Sequence, residues 1–152
     1  DFCLSRGLGD VYKRQGKDFF TGITCHRLTT SGIFVLQCGQ SDATADGGPG
    51  YTFGPIENAP ADDLYTKGTL AMARVGSSVL GPEGAANSMS SQFFIVYEDS
   101  SIPSDEAGGY TVFGKITGGL DGLRSVFDAG VEGGEPDGAP AIETKLGAIK
   151  LG

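Results

Sequence analysis

A mainly β fold, an antiparallel barrel or sandwich with one late helix, is predicted by three observations on this 152-residue chain. Glycine supplies 26 residues, more than twice the roughly 7% of average usage, which suits short strands joined by many turns rather than a helical bundle. Short apolar runs alternate with glycine- and proline-rich segments, the pattern of strands bounded by turns. Helical periodicity is confined to one stretch, where Leu120, Leu123, Val126 and Phe127 recur on a single face over about two turns. The length suits one domain with one core.

The elements follow in order. Ile23–Leu28 is strand-like, as is Ile33–Leu36 with its continuation into Gln37. A strand over the first of these puts Cys25 and Arg27 on one face and His26 on the other. Residues 42–50 (DATADGGPG) form a loop of tight-turn residues. Gly68–Arg74 and Gln92–Tyr97 are the strongest core strands, the second being rich in aromatic and β-branched residues. Glu98–Gly109 reads as a polar loop and Tyr110–Ile116 as a further strand. The helix follows, opened by Gly118-Gly119 and closed at Gly130. A loop over Val131–Pro140 leads to a last strand within Ile142–Leu151.

Residues 1–15 (DFCLSRGLGDVYKRQ) carry no sustained periodicity and no apolar run of signal-peptide length. The stretch CLSRGLGDVYKRQ resembles translated adapter sequence from the ends of assembled metagenomic reads. Residues 1–15 are therefore read as a non-native or disordered segment, and residues 16–152 as the domain.

Charge narrows the partners. The chain has 11 basic and 19 acidic side chains, for a net charge of −8. Arg6, Lys13, Arg14 and Lys17 gather at the start, so the rest is more acidic still. Such a body repels phosphate backbones, which disfavours nucleic acid and anionic membranes as partners. No apolar run reaches the roughly 18 residues of a membrane-spanning helix. Cys3, Cys25 and Cys38 lack CxxC spacing and are odd in number, so they read as ordinary thiols rather than a disulfide framework. A zinc site at Cys25, His26 and Cys38 would need a further carboxylate and lacks paired short-spaced ligands. No metal or cofactor is expected.

There is no GxxxxGK[ST] loop and no GxSxG elbow, and one histidine leaves little scope for a triad. Five short motifs stand out instead: Cys-His-Arg-Leu at 25–28, Ile-Phe-Val-Leu-Gln-Cys-Gly at 33–39, Leu-Ala-Met-Ala-Arg at 70–74, Ser-Gln-Phe-Phe-Ile at 91–95 and Tyr-Thr-Val-Phe-Gly at 110–114. Together and in this order they resemble the cyclophilin-type peptidyl-prolyl cis-trans isomerases, most of all the bacterial branch. The resemblance runs from about Phe20 to about Phe127.

It implies an eight-stranded antiparallel barrel with two capping helices and an active site on the outer wall. It also implies that a strand pair and a helix normally precede the segment at Phe19, so the domain is expected to be incomplete at its N-terminus. Arg27 matches the catalytic arginine. Phe34, Val35 and Gln37 match apolar and amide positions of the substrate site, with methionine common at the place of Val35. Ala73 and Arg74 match residues lining the substrate backbone, with asparagine usual at the place of Arg74. Gln92 and Phe94 match the glutamine and the aromatic floor of the proline pocket, and Tyr110 stands where many members have histidine. Arg74 is left as a backbone contact or a solvent-exposed rim, and Tyr110 as pocket wall or packing. His26 reads as structural, and the acidic stretches at Asp62-Asp63 and Glu98–Glu106 as solvated surface.

The expected activity is rotation of X–Pro bonds in proline-containing peptides and unfolded proteins, by a monomer. The alternative is a non-catalytic module for proline segments, or an inactive fragment. The chain has no tryptophan, whereas many members contact cyclosporin with one, so weak cyclosporin binding is expected.

Overall fold

The computed structural model describes residues 20–40 and 50–148, so the expectations for residues 1–15 and for most of the loop at 42–50 lie outside the described residues. The elements are β1 (Arg27–Thr29), β2 (Val35–Cys38), β3 (Leu64–Tyr65), β4 (Thr69–Met72), α1 (Ser77–Ala86), β5 (Phe93–Val96), β6 (Ser100–Ser101) and β7 (Val112–Lys115). A 3₁₀ turn (Leu120–Leu123) leads into α2 (Arg124–Ala129), and β8 (Asp137–Gly138) comes last. Six strands form one sheet in the order β7-β4-β5-β2-β1-β8, all pairings being antiparallel, and β3 pairs with β6. The fold is mostly antiparallel β with few helices.

β5 is central because its sequence allows it to be. Phe-Phe-Ile-Val is buried throughout, and strand alternation sends its side chains to opposite faces. Phe93 and Ile95 join Leu28, Leu36, Cys38 and Met72 in one cluster. Phe94 and Val96 join Val35, Tyr65, Ala71 and Ile102 in the other. Burying each large apolar side chain contributes roughly 1.5–3 kcal/mol, so the sheet is held from both faces. At the β2 end, Gly39 has φ +91° and a Cβ there would lie 2.2 Å from the Ser91 carbonyl oxygen. Only glycine lets β2 approach the start of β5 this closely.

The helix expected at Leu120–Phe127 is present, with Gly119 at its N-cap and Gly130 (φ 71°) at its C-cap. Four expectations are corrected. A second helix, α1, exists although its sequence contains Gly81 and Pro82. It is two short turns joined across a break at Gly81 (φ 70°), so no continuous apolar face announces it. The Val131–Pro140 loop folds back and contributes β8 to the sheet edge beside β1. No strand occurs in 142–148; there Lys145 makes only an isolated bridge to Thr24. Cys25 and Cys38 form a disulfide, which the wide sequence spacing conceals because the β1–β2 pairing is what brings them together.

That disulfide also explains a facing error. Regular strand begins only at Arg27, so alternation does not extend back to Cys25. Cys25 belongs to the cluster with Leu36 and Cys38, while Arg27 lines the opposite face. No helix among the described residues is long and apolar enough to cross a membrane.

Candidate active site

A row of cross-strand neighbours builds the site. Arg27 on β1 pairs with Gln37 on β2, Gln37 with Phe94 on β5, and Phe94 with Ala71 on β4. Directly paired residues of antiparallel strands project from the same face with Cβ atoms about 5 Å apart. The register alone therefore places a guanidinium, an amide and an aromatic ring side by side.

Above this row lies a cavity of about 130 Å³. Phe94, Val35 and Ala73 line it together with Tyr110, and Arg27 and Gln37 stand at one side. Ile33 and Ile102 complete its apolar wall; neither was singled out by motif. A second cavity of about 170 Å³ adjoins it, sharing Gln37, Ala73 and Arg74 and adding Gln92 and Ser88.

Arg27 is half-exposed, its side chain retaining 43% accessibility. Its Nε and Nη2 donate to Asp137 Oδ1 and Oδ2 at 2.8 and 2.7 Å. Its Nη1 approaches Gln37 Oε1 at 3.4 Å, and Gln37 Nε2 donates to Gln92 Oε1 at 2.8 Å. A guanidinium has five N–H groups, so two, one on each terminal nitrogen, have no partner among the described residues. The bonded carboxylate raises the Arg27 pKa further above its already high value, and Arg27 in turn holds the Asp137 carboxyl below the usual carboxylate range. Burial and the Arg27 charge push His26 down, and its Nδ1 is buried with no hydrogen-bond partner among the described residues. A neutral imidazole suits that position.

Arg74 behaves differently. Its side chain is 1% exposed. Nε donates to the Gly109 carbonyl, Nη1 to the Val75 carbonyl and Asp105 Oδ2, and Nη2 to Asp105 Oδ1 and the Gly108 carbonyl. All five N–H groups are engaged, so its side chain has nothing left to donate to a bound peptide. The expectation of a solvent-exposed rim is corrected: Arg74 is a buried strut that ties the 105–109 loop to the end of β4. The expectation that Glu98–Glu106 is solvated surface holds for its acidic side chains, Asp105 included, but not for Ser100 and Ile102, which are buried. Asp105 accepts from Arg74 and from the Ser77 and Ala107 N–H groups, which hold its carboxyl well below the usual range.

Tyr110 is set by the same loop. Its ring meets Phe94 edge-on at 5.4 Å between centroids, with the Arg74 guanidinium 4.8 Å from its centre. Its backbone N–H donates to the hydroxyl of fully buried Tyr65 at 2.7 Å. Tyr65, which no motif marked, thus fixes where Tyr110 stands.

Phe34 is not brought to this cavity. Adjacent strand residues face opposite ways, and Val35 takes the cavity side. Phe34 packs edge-on against Tyr97 at 5.8 Å and lines a separate cleft of about 230 Å³ beside α2.

Comparison with known proteins agrees with this architecture. The family model described as cyclophilin type peptidyl-prolyl cis-trans isomerase matches residues 3–146. The probable peptidyl-prolyl cis-trans isomerase B of Mycobacterium tuberculosis is 44% identical over 145 residues, covering 88% of this chain and 43% of the relative. The chain thus spans less than half the length of that relative. Peptidyl-prolyl cis-trans isomerase B of Bacillus subtilis is 35% identical over 120 residues, covering 78% of this chain and 73% of the relative. Among solved structures, a Cryptosporidium parvum cyclophilin type peptidyl-prolyl cis-trans isomerase, crystallised in the presence of the dipeptide Ala-Pro, superposes with a TM-score of 0.63 at 25% identity. That match covers 93% of this chain and 78% of the other. On the family match and the bacterial relatives, the chain belongs to the cyclophilin-type peptidyl-prolyl cis-trans isomerase family.

Proposed function

We propose that this chain accelerates cis-trans exchange of X–Pro bonds in unfolded or flexible polypeptides, with Arg27 as the catalytic electrophile. The observation that carries the reading is a half-exposed guanidinium, with two N–H groups that have no partner among the described residues, beside a small cavity whose lining includes Phe94, Val35 and Tyr110.

The chemistry asks for little more. Rotation about an X–Pro amide must break C–N resonance against a barrier of about 18–20 kcal/mol, and uncatalysed exchange takes tens to hundreds of seconds. No bond is made or broken, so the enzyme needs only to prefer the twisted amide to both planar forms. In the twisted state the proline nitrogen recovers a lone pair, to which Arg27 donates a hydrogen bond. Phe94, Val35 and Tyr110, with Ala73, hold the pyrrolidine ring. An apolar cavity of about 150 Å³ takes up a benzene-sized guest, so about 130 Å³ is on the scale of a five-membered ring. Gln37 meets Arg27 and holds Gln92, and the two amides anchor the carbonyl that turns. Arg74 contributes through its main chain and by setting Tyr110. Lowering the barrier by about 7 kcal/mol corresponds to roughly 10⁵-fold acceleration.

The test is exchange spectroscopy on a short Ala-Pro-Phe peptide. Fast exchange that collapses in Arg27→Ala is expected. Peptide shift changes without faster exchange, from a protein with dispersed amide signals, would instead indicate a module that only binds proline segments. Cyclosporin binding is expected to be weak; a submicromolar dissociation constant by calorimetry would overturn that part.

A further inference from the structure

We infer that Asp137 is the positioning residue for Arg27, a role that rests on the reading of Arg27 given above. The guanidinium and the carboxylate meet fork to fork, with both N–H···O distances below 2.9 Å. Such bidentate pairs fix orientation as well as distance. Asp137 occupies the Nε–Nη2 edge, and Gln37 approaches Nη1 from another strand. What remains uncommitted among the described residues is one N–H on each terminal nitrogen. The pair therefore decides which N–H groups face the cavity.

The fold supplies Asp137 by a rigid device. Thr29 pairs with Asp137 and Leu28 with Gly138, and the Thr30 N–H donates to the Pro136 carbonyl. The loop behind it is closed by Glu132 N–H to Ala139 and Ala141 N–H to Gly130. A Cβ at Gly138 would lie 2.9 Å from Val131 Cγ1, and Val131 is 5% exposed. Glycine there lets β8 lie flat against a buried anchor, with Asp137 beside it. By contrast, the ion pair itself is exposed at 43% and 49%, and such pairs contribute little to stability. A carboxylate that stabilises little, yet is placed this firmly against the electrophile, acts on geometry.

The experiment measures prolyl exchange in Asp137→Asn, Asp137→Glu, Arg27→Ala and the Arg27→Ala/Asp137→Asn double variant. The Arg27 Nε–H cross-peak is followed in ¹⁵N spectra. Asp137→Asn is expected to lower kcat roughly ten- to a hundred-fold, the scale of a small misplacement of a reacting group. KM should hold and the thermal midpoint should stay within about 4 °C. Its Nε–H signal should broaden or move, Asp137→Glu should recover part of the rate, and the double variant should be no slower than Arg27→Ala alone. An Asp137→Asn rate equal to or above wild type, or a loss that adds in full to that of Arg27→Ala, overturns the inference while leaving Arg27 in place. Wild-type activity in Arg27→Ala removes the reading of Arg27 itself, and this inference with it.

Discussion

Two arginines border the same face of the sheet, and their surroundings are opposite. Arg27, on β1, is half-exposed, with one carboxylate partner, one distant amide and two N–H groups that no described residue engages. Arg74, just past β4, is buried, and its five N–H groups meet one carboxylate and three carbonyls. A saturated guanidinium in a buried site holds structure together. One with free donors beside a cavity keeps hydrogen-bonding capacity that no described residue uses. Residue type is the same in both places; the number of unused donors separates them.

The largest effect expected is on rate. Arg27→Ala should lower kcat by about 10²–10³, as removal of a single preorganised donor does, with stability changing by no more than about 1 kcal/mol. Prolyl exchange and urea melts on one preparation check both halves. A large stability loss would place Arg27 with Arg74 and end the contrast.

Arg74→Ala should do the reverse and cost about 1–2 kcal/mol of stability, because it leaves the buried Gly109 carbonyl without its donor and unties the 105–109 loop. Denaturant melts read this directly. Arg74→Lys should recover little, since a point ammonium cannot reproduce a planar fork of five donors. Stability unchanged in Arg74→Ala would mean that the strut holds nothing.

A smaller effect separates the two carboxylates by pH. Both have folded pKa values below the ordinary 3.8, Asp105 by the larger margin. A depressed carboxyl contributes stability that is complete above its unfolded pKa and is lost as pH falls towards the folded one. Wild-type stability should therefore fall below about pH 3.8, with Asp105→Asn flattening that limb more than Asp137→Asn. Thermal melts from pH 5 down to pH 2 measure it, and equal slopes for the two variants would count against the distinction. The smallest effect belongs to Tyr110→Phe. The ring contacts Phe94 and Arg74 and the backbone contacts Tyr65, so KM for the peptide should change less than about twofold. A tenfold change would assign the hydroxyl a role in binding.

Much of the sheet and part of the site are legible in the sequence. The apolar run at 92–97 announces the central strand, and the motif resemblance carries Arg27, Gln37 and Phe94 to positions that β1–β2–β5 register then places in one row. The resemblance transfers positions but not facings, which is why Phe34 is grouped with Val35 in the sequence although alternation separates them. Asp137 lies 110 residues from Arg27, and Asp105 31 residues from Arg74. No local periodicity can join partners so far apart, and an isolated aspartate in a polar loop carries the same signal whether it is solvated or paired. α1 is illegible for a different reason: Gly81 and Pro82 break its periodicity where the helix itself breaks.

Residue order by itself determined the mainly β class, the late helix with its glycine caps and the set of motifs that marks the family. The class and the helix rest on short-range rules of alternation, periodicity and turn chemistry, which act within a few residues, and the family mark rests on the resemblance of the motifs. Tertiary structure alone decided that Cys25 joins Cys38, that Phe34 turns away from the cavity, and that Asp105 pairs with one arginine while Asp137 pairs with the other. Each of these depends on which strands become neighbours and in what register. That choice follows from burying both faces of a sheet at once, so it belongs to the folded chain as a whole.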